Sequence, residues 1–331
     1  LVPFQDEYLA AAARLLAQRH RRDLVISPEL PERFEQAEAS ATAISAALAR
    51  ENAAGFIALD DDRLVAYLIG DMVIDSVWGR SGWVRWAGCA YDAEAGVENV
   101  RDLYAALGAH WVEFGIFYHV ILTPVSDPAL IGAWFSLSFG VEQIHALQDL
   151  TSLGRARQAP AGIELRQAGP ADGPHLAEMS GIIWRKQVQA PVWAVMMPEY
   201  LAGRAAAWAE LATDDEVTVW LVLRDGQPLA VQAYWPTEAD DDNLMAPEKC
   251  AHMSVAATVR EAQGQGFNTL LSDHILHETR AAGYRYVETD WRSTNLLASR
   301  FWPQRGYRPV FYRLVRRLDE RITWANGAAA D

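Results

Sequence analysis

The second half of this chain repeats the order of elements that the first half predicts, and this repeat constrains the fold more than any other feature. The chain has 331 residues, about twice the usual size of a domain. Residues 151–161 contain Gly, Arg, Gln and Pro without apolar periodicity, as a linker does. The sequence therefore predicts two domains of common ancestry, residues 1–152 and residues 161–331.

Each half begins with a short extended segment and a helix, and a predicted strand–turn–strand hairpin follows. A third strand, a long helix and a fourth strand come next, and an aromatic residue and a glycine end the repeat. The paired segments are 55–59 and 217–223, 64–70 and 228–234, 83–91 and 252–259, 97–114 and 267–282, and 118–123 and 286–290. This order predicts an α/β (α+β) fold in which each domain is a mixed, mostly antiparallel twisted sheet flanked by helices, with one parallel step.

Charge and cysteine content exclude several classes of partner. The formal net charge is −14, from 43 acidic and 29 basic residues, so the surface repels nucleic acid and anionic lipid. The two cysteines, Cys89 and Cys250, form neither a disulfide framework nor a Cys/His metal motif. No apolar run is long enough to span a bilayer, and the first residues do not resemble a signal peptide. We expect a cytoplasmic protein with no metal, nucleic-acid partner or membrane partner.

A glycine turn carries the strongest chemical signal. The predicted strand ending at Val259 leads into Gly264 and Gly266, and a helix with an apolar face begins at Phe267. Free N–H groups of residues 265–269, together with the helix dipole, would make a site for a pyrophosphate. The segment lacks the Gly-Lys-Ser/Thr of a phosphate-binding loop, and Thr269 stands where a dinucleotide fingerprint has its third glycine. A turn without any ligand is the alternative interpretation of a bare glycine pair.

This segment resembles the acetyl-CoA motif of the GNAT N-acetyltransferase superfamily, Arg/Gln-x-x-Gly-x-Gly/Ala. A second stretch resembles the closing family motif, Asn-x-x-Ala-x-x-Phe-Tyr-x-x-x-Gly-Phe, with Trp in place of Tyr. The residues that carry the two resemblances are Gln263, Gly266 and Asn268, and then Asn295, Ala298, Phe301, Trp302, Gly306 and Tyr307. The resemblance covers residues 163 to about 316.

The resemblance implies acetyl-CoA as the cosubstrate and acetyl transfer to a primary amine of a small molecule, by direct attack in the C-terminal domain. It also implies a β-bulge at about residues 256–258, whose backbone holds the acetyl and pantetheine groups. The cofactor-binding residues that it implies are Ala256, Ala257, Thr258, Gln263, Gly264, Gln265, Gly266, Phe267, Asn268, Thr269, Asn295, Phe301 and Trp302. For Asn295 the alternative role is a helix cap.

The first half resembles the same fold but lacks the motif. In an alignment on Gly96 and Gly264, Glu98 stands at the position of Gly266, where its carboxylate would oppose a phosphate. Ser136 stands at the position of Trp302. We interpret the first half as a degenerate copy with a structural or pocket-forming role.

The catalytic residues are less clearly marked. Strand alternation places His252 on one face with Ser254, Ala256 and Thr258, and an imidazole is suited to accept the proton of an amine. Glu248 is the competing base, and a strand histidine without a catalytic role is the alternative. Because Trp302 cannot deliver a proton near neutral pH, Tyr307 or Tyr312 is the candidate acid, unless the thiolate leaves without help.

Four aromatic residues of the second half are candidates for the acceptor pocket: Trp184, Trp193, Tyr234 and Trp235. Core packing is the alternative role for them. Two other functions stay open for the chain, namely a non-catalytic acyl-CoA sensor or structural module, and a protein N-acetyltransferase.

Overall fold

The computed structural model describes residues 1–76, 78–237 and 240–325. Contacts divide the described chain into two compact units. Unit 1 takes its residues from 1–145, 239–247 and 309–331, and unit 2 takes its residues from 146–238 and 248–308. The units differ from the predicted division at residues 152 and 161, because a segment of the second half and the final strand belong to unit 1.

Unit 1 is a mixed sheet with helices. Its strands are β1 (Val2–Pro3), β2 (Ala54–Asp60), β3 (Arg63–Asp75), β4 (Gly79–Val84), β5 (Cys89–Tyr91), β6 (Tyr118–Pro124) and β13 (Arg308–Arg317), which begins one residue before the unit boundary. The sheet order is β1-β2-β3-β4-β6-β13, and β5 pairs with β3. Among the described residues of this part of the sheet, β4 and β6 pair in parallel and the other pairs are antiparallel. The helices are α1 (Leu9–Ile26), α2 (Ala37–Leu48), α3 (Glu98–Glu113), α4 (Pro128–Ser136) and α11 (Ile322–Ala325).

Unit 2 repeats this arrangement. Strand β7 (Gly140–Asp149) runs from unit 1 into unit 2, and the unit's other strands are β8 (Ile163–Gln167), β9 (Thr218–Arg224), β10 (Gln227–Pro236), β11 (Cys250–Thr258) and β12 (Tyr286–Arg292). They are ordered β12-β11-β10-β9-β8, with β11 and β12 parallel and the other pairs antiparallel. The helices are α5 (Gly173–Met179), α6 (Ile182–Gln187), α7 (Pro198–Leu201), α8 (Arg204–Glu210), α9 (Phe267–Ala281) and α10 (Leu296–Gln304).

The predicted mixed, mostly antiparallel fold is confirmed, and local sequence explains its connections. The β9–β10 hairpin turns at Asp225 and Gly226, which both have positive φ (50° and 75°), as a two-residue turn between twisted strands requires. One prediction was wrong in detail: residues 83–91 do not form one strand. The chain turns between β4 and β5, where the Gly88 N–H donates to the Arg85 carbonyl (2.9 Å).

The final strand completes unit 1 rather than the half from which it comes. Strand β13 pairs antiparallel with β6, from Phe311 opposite Pro124 to Arg317 opposite Tyr118. Buried Arg313 supports it through an ion pair with Glu142 (2.8 Å). Because β7 and β13 hold equivalent places in the repeat, the sequence pattern alone does not tell which unit takes β13.

Each unit has its own apolar core. In unit 1, Trp111, Trp134 and Tyr104 pack with aliphatic residues of the sheet. In unit 2, Leu176 and Trp208 from the helices pack against Leu221 and Val231 of the sheet. Two cores of this kind are expected of a chain too long for a single one.

Gly306 links α10 to β13 and leaves no room for a side chain. Its φ is +95°, and a Cβ atom there would lie 2.8 Å from the Gln148 side-chain nitrogen. We expect Gly306→Ala to lower the free energy of unfolding by about 1–3 kcal/mol, because it adds backbone strain to a contact that is too close.

Urea unfolding followed by circular dichroism measures this effect. The control is Gly140→Ala, at the equivalent place in the first half, where a Cβ would meet nothing within 4 Å and φ is not positive. Equal midpoints for the two variants would contradict the explanation.

Candidate functional site

The parallel strands β11 and β12 separate before they end. Their pairing runs from Cys250 opposite Tyr286 to Met253 opposite Thr289. Strand β11 then continues to Thr258 and β12 to Arg292, and among the described residues the two strands do not pair further with each other. The edge of β11 that faces β12 therefore has backbone groups without a strand partner among the described residues, and such groups are available to a ligand.

A register shift accompanies this separation. On β10, Ala233 pairs with Val255 and Tyr234 pairs with Met253, so Ser254 is an extra residue on β11. This is the pattern of a β-bulge. The bulge lies two residues before the segment 256–258 to which the family resemblance assigned it, and the Ser254 side chain is exposed.

The glycine turn after β11 has the backbone that an anion site needs. Gly264 and Gly266 have φ of 77° and 84°, and a Cβ at either would meet nothing within 4 Å. The first bond of α9 is from the Leu270 N–H to the Gly266 carbonyl (2.9 Å). The amides just before Leu270 therefore have no acceptor within the helix. They form the positive end of the helix dipole.

A cavity of about 460 Å³ lies between the separated part of β11, the glycine turn, α6 and α10. Twelve of the thirteen predicted cofactor-binding residues line it: Ala256, Ala257, Thr258, Gln263, Gly264, Gly266, Phe267, Asn268, Thr269, Asn295, Phe301 and Trp302. Gln265 does not, and its side chain donates to the Glu261 carbonyl (2.7 Å). The sequence motifs thus come together in one cleft of unit 2.

Polar side chains around the cavity are held by the protein itself. Gln263 donates to the Thr258 carbonyl (3.2 Å), which ties the turn to the strand. Asn268 accepts a hydrogen bond from Gln232, a fully buried amide that also donates to Ser272 (2.7 Å). Asn295 caps α10 by accepting from the Ala298 N–H (3.4 Å), so its structural role is clear although it also borders the cavity.

The closing motif places an indole, not a phenol, at the cavity. Trp302 lines it and is 5% exposed, and its ring meets the Tyr307 ring edge to face at 5.4 Å. Tyr307 is 2% exposed and does not line the cavity. Burial, followed by the neighbouring Tyr234, raises the pKa of Tyr307 well above its usual value. The phenol of Tyr307 is therefore a poor proton donor to a group in the cavity.

His252 pairs with Trp235, whereas Ala256 pairs with Gln232, so the extra residue Ser254 reverses the alternation. Contrary to the expectation from strand alternation, His252 therefore lies on the opposite face of β11 from Ala256 and Thr258. One third of its side chain is exposed, and it does not line the cavity. Its Nδ1 lies 3.0 Å from Oε1 of Glu288, a carboxylate on β12 with 6% exposure. Burial lowers the pKa of His252, but the contact with Glu288 and the charges of Glu288 and Asp290 outweigh burial, and the net shift is upward. Glu248 is exposed just before β11 and does not line the cavity.

The four predicted pocket aromatics do not line this cavity. Tyr234 is 3% exposed and donates to Gln232 (2.8 Å), and Trp235 packs against the unit 2 core. Trp184 is half-buried on α6, and Trp193 is 70% exposed.

The sequence motifs missed two residues near the cleft. Lys186 on α6 carries the only formal positive charge among the described residues that line the cavity. Glu288 becomes visible only through the register that places it beside His252. No sequence motif includes Lys186. Its one distinguishing feature in the sequence is that it is one of two lysines in the chain.

In unit 1 the protein's own side chains bond the segment between β4 and β5 and the end of β5. Buried Arg19 of α1 donates to the carbonyls of Cys89 (2.5 Å) and Trp86 (3.0 Å). The Tyr91 hydroxyl donates to Asp127 (2.9 Å), which joins the end of β5 to the start of α4. The interpretation of the first half as a degenerate copy stays a prediction.

The described part of the chain has neither a membrane-spanning helix nor a cluster of metal-binding side chains. No helix among residues 1–76, 78–237 and 240–325 is long and apolar enough to cross a membrane. Nor do the described residues bring together three His, Cys, Asp or Glu side chains that could hold a metal ion. His277, which the sequence places near His274, has its two ring nitrogens 2.7 and 2.8 Å from the carbonyls of Asp273 and Gly154.

Part of the chain matches a known protein family. Residues 184–307 match the acetyltransferase (GNAT) family model. A search of curated protein sequences gave no significant match.

Three solved structures share the fold. A GCN5-related N-acetyltransferase from Sphaerobacter thermophilus has a TM-score of 0.59 at 14% identity, over 96% of this chain and 95% of that one. A tandem GNAT protein from the clavulanic acid biosynthesis pathway has a TM-score of 0.52 at 14% identity, over 96% of this chain and 97% of that one. A GCN5-related glucosamine N-acetyltransferase region of a fungal multi-domain β-N-acetylglucosaminidase has a TM-score of 0.53 at 16% identity, over 95% of this chain and 37% of that one. Residues 184–307 therefore match the acetyltransferase (GNAT) family model, and the chain has the fold seen in a tandem GNAT protein.

Proposed function

We propose that this protein is an N-acetyltransferase that moves an acetyl group from acetyl-CoA to a primary amine of a small molecule, in unit 2. The observation that carries the proposal is the cavity between the separated strand β11 and the N-terminus of α9. It combines backbone N–H groups suited to a pyrophosphate with an apolar wall suited to a pantetheine arm.

The residues present fit acetyl-CoA. The amides that begin α9 would hold the pyrophosphate, and the free edge of β11 around Ala256 and Thr258 would hold the pantetheine and acetyl groups. A β11 amide aimed at the thioester oxygen would stabilise the charge that develops there. The cosubstrate supplies an acetyl thioester, which is already activated toward amines.

In the proposed reaction the chain orients the reactants and moves one proton. The amine nitrogen bonds to the acetyl carbon as the carbon–sulfur bond breaks, and His252 accepts the amine proton directly or through a water. The sulfur leaves as a thiolate and takes its proton from solvent, because neither Trp302 nor buried Tyr307 delivers one to the cavity.

A screen for CoA release with a panel of free amines tests this function. Amino sugars belong in the panel because the related glucosamine N-acetyltransferase region has this fold. We expect turnover with at least one small amine and none with basic peptides. Release with peptides alone would favour a protein N-acetyltransferase instead.

A second function is supported by one observation. Because Trp302 replaces the phenol at the cavity, a non-catalytic acyl-CoA sensor or structural module accounts for the same cleft. Tight acetyl-CoA binding without CoA release for every amine and peptide would support that function.

Lys186 is expected to strengthen cosubstrate binding through its charge. We expect Lys186→Gln to weaken acetyl-CoA binding about tenfold, the loss of one charge-assisted contact. Calorimetric titration measures the affinity. Lys249→Gln is the matched control, since Lys249 is the other lysine, lies in unit 2 and does not line the cavity. Equal affinities in the two variants would contradict the assignment.

A further inference from the structure

The parallel register of β11 and β12 places an acid beside His252. His252 pairs directly with Glu288, and paired residues of neighbouring strands project on the same side of a sheet. The 3.0 Å between Nδ1 and Oε1 is a hydrogen-bonding distance. On the other side, the Thr237 hydroxyl donates to the same Glu288 oxygen (3.3 Å). The carboxylate is thus fixed in place and nearly inaccessible to solvent, with 6% exposure.

This arrangement has a chemical consequence for the imidazole. A neutral histidine carries its proton on one ring nitrogen, and the bond that one nitrogen makes decides the state of the other. An acceptor at Nδ1 keeps the proton there and leaves the lone pair on Nε2. A base with a free Nε2 is what the amine requires.

We propose that Glu288 is a positioning residue, which holds His252 in the tautomer and orientation that leave Nε2 free to take the proton of the acceptor amine. This inference rests on the proposed function, because it assigns a partner to the base of that reaction. No motif of the sequence marks Glu288.

The surroundings of His252 identify which charges act on it. Strand β12 contributes Glu288 and Asp290. Strand β10 contributes Trp235, and Thr237 follows directly after that strand; neither side chain is charged. Cys250 on β11 is neutral, because burial raises its pKa. On α6, which packs against β11, Lys186 lines the cavity, and Arg185 donates to its own helix at the Gly181 carbonyl (2.9 Å).

Helix α9 also packs against β11. It does so with its buried apolar residues, among them Leu270, Leu271 and Ile275. Glu288 is therefore the acid in contact with the ring, and exposed Asp290 acts on it from a distance.

The test compares Glu288→Gln with Asp290→Asn, which removes an equal charge two residues along the same strand. The pKa of His252 is measured by NMR titration of the protein without ligands, with His252→Gln assigning the signal. We expect a clear fall of that pKa in Glu288→Gln and a smaller fall in Asp290→Asn. An unchanged His252 titration in Glu288→Gln overturns the proposal, whether or not the protein acetylates any amine.

Kinetics then separate positioning from a merely structural role. With an accepted amine, we expect Glu288→Gln to move the acid limb of the pH profile to lower pH. We also expect a plateau kcat lower by at least about tenfold, with KM for acetyl-CoA unchanged. Asp290→Asn should keep the plateau. A fall of the His252 pKa with an unchanged kcat plateau would overturn the positioning role of Glu288. The absence of turnover in the unmodified protein would count against the proposed function alone.

Discussion

Replacing Gly266 with glutamate is expected to abolish acetyl-CoA binding while unit 2 stays folded. Gly266 is the residue before α9, where its φ of +84° turns the chain into the helix. A Cβ there would meet no protein atom within 4 Å, so the new side chain has room beside the cavity. Its carboxylate would take the place of a phosphate at the positive end of the helix. Calorimetry should show a loss of affinity of at least about a hundredfold, the effect of a like charge in an anion site.

The control for this variant is Gly266→Asn. Asparagine tolerates positive φ better than most residues, so it tests backbone strain and added volume without the charge. We expect Gly266→Asn to keep most of the affinity and both variants to keep the circular dichroism spectrum of the unmodified protein. Unchanged affinity in Gly266→Glu would mean that the pyrophosphate does not lie on this helix.

Replacing His252 with alanine is expected to reduce turnover by about a hundredfold or more, the usual contribution of a general base. The base acts in its neutral form, so activity should rise with pH as His252 loses its proton. Because Glu288 and Asp290 shift the pKa of His252 upward against the effect of burial, this rise should be centred above pH 6.5, the ordinary value for histidine. In His252→Ala the rise should disappear, and KM for acetyl-CoA should stay unchanged. Initial rates of CoA release from pH 5 to 9 measure both effects.

Ser254→Ala is the matched control, because Ser254 is exposed and lies two residues along the same strand. Its profile should match that of the unmodified protein. If His252→Ala kept the acid limb, His252 would not be the base, and Glu248→Gln would be the next variant to measure.

The sequence predicted the elements well because local rules decide them. Apolar alternation and turn residues located the hairpins, and the helix predicted over 267–282 is α9, Phe267–Ala281. The glycine turn and the closing motif were predicted to meet, and residues from both line one cavity. These features are set by residues that lie close together in the sequence, so one sequence is enough to predict them.

Long-range pairing could not be predicted in the same way. The place of β13 beside β6 depends on a choice between two equivalent strands of the repeat. The contact between His252 and Glu288 depends on the register of two strands separated by α9. A shift of one residue would have moved Glu288 to the other face of the sheet, and no local pattern reports that register.

The acceptor side of the site was the least predictable part. Trp193 is 70% exposed and Tyr234 is 3% exposed, although both were candidates for the acceptor pocket. Aromatic residues serve cores and pockets equally well, so residue type does not distinguish the two roles. Lys186 was missed because a single lysine on a short helix matches no motif.

Calorimetric titration of acetyl-CoA into the full chain tests the central claim most directly, because it reports stoichiometry as well as affinity. We expect one site per chain, lost in Gly266→Glu and kept in Gly266→Asn, because unit 2 has the cavity and the first half lacks the glycine motif. Two sites per chain, or one site that survives Gly266→Glu, would contradict the assignment of the cosubstrate to unit 2.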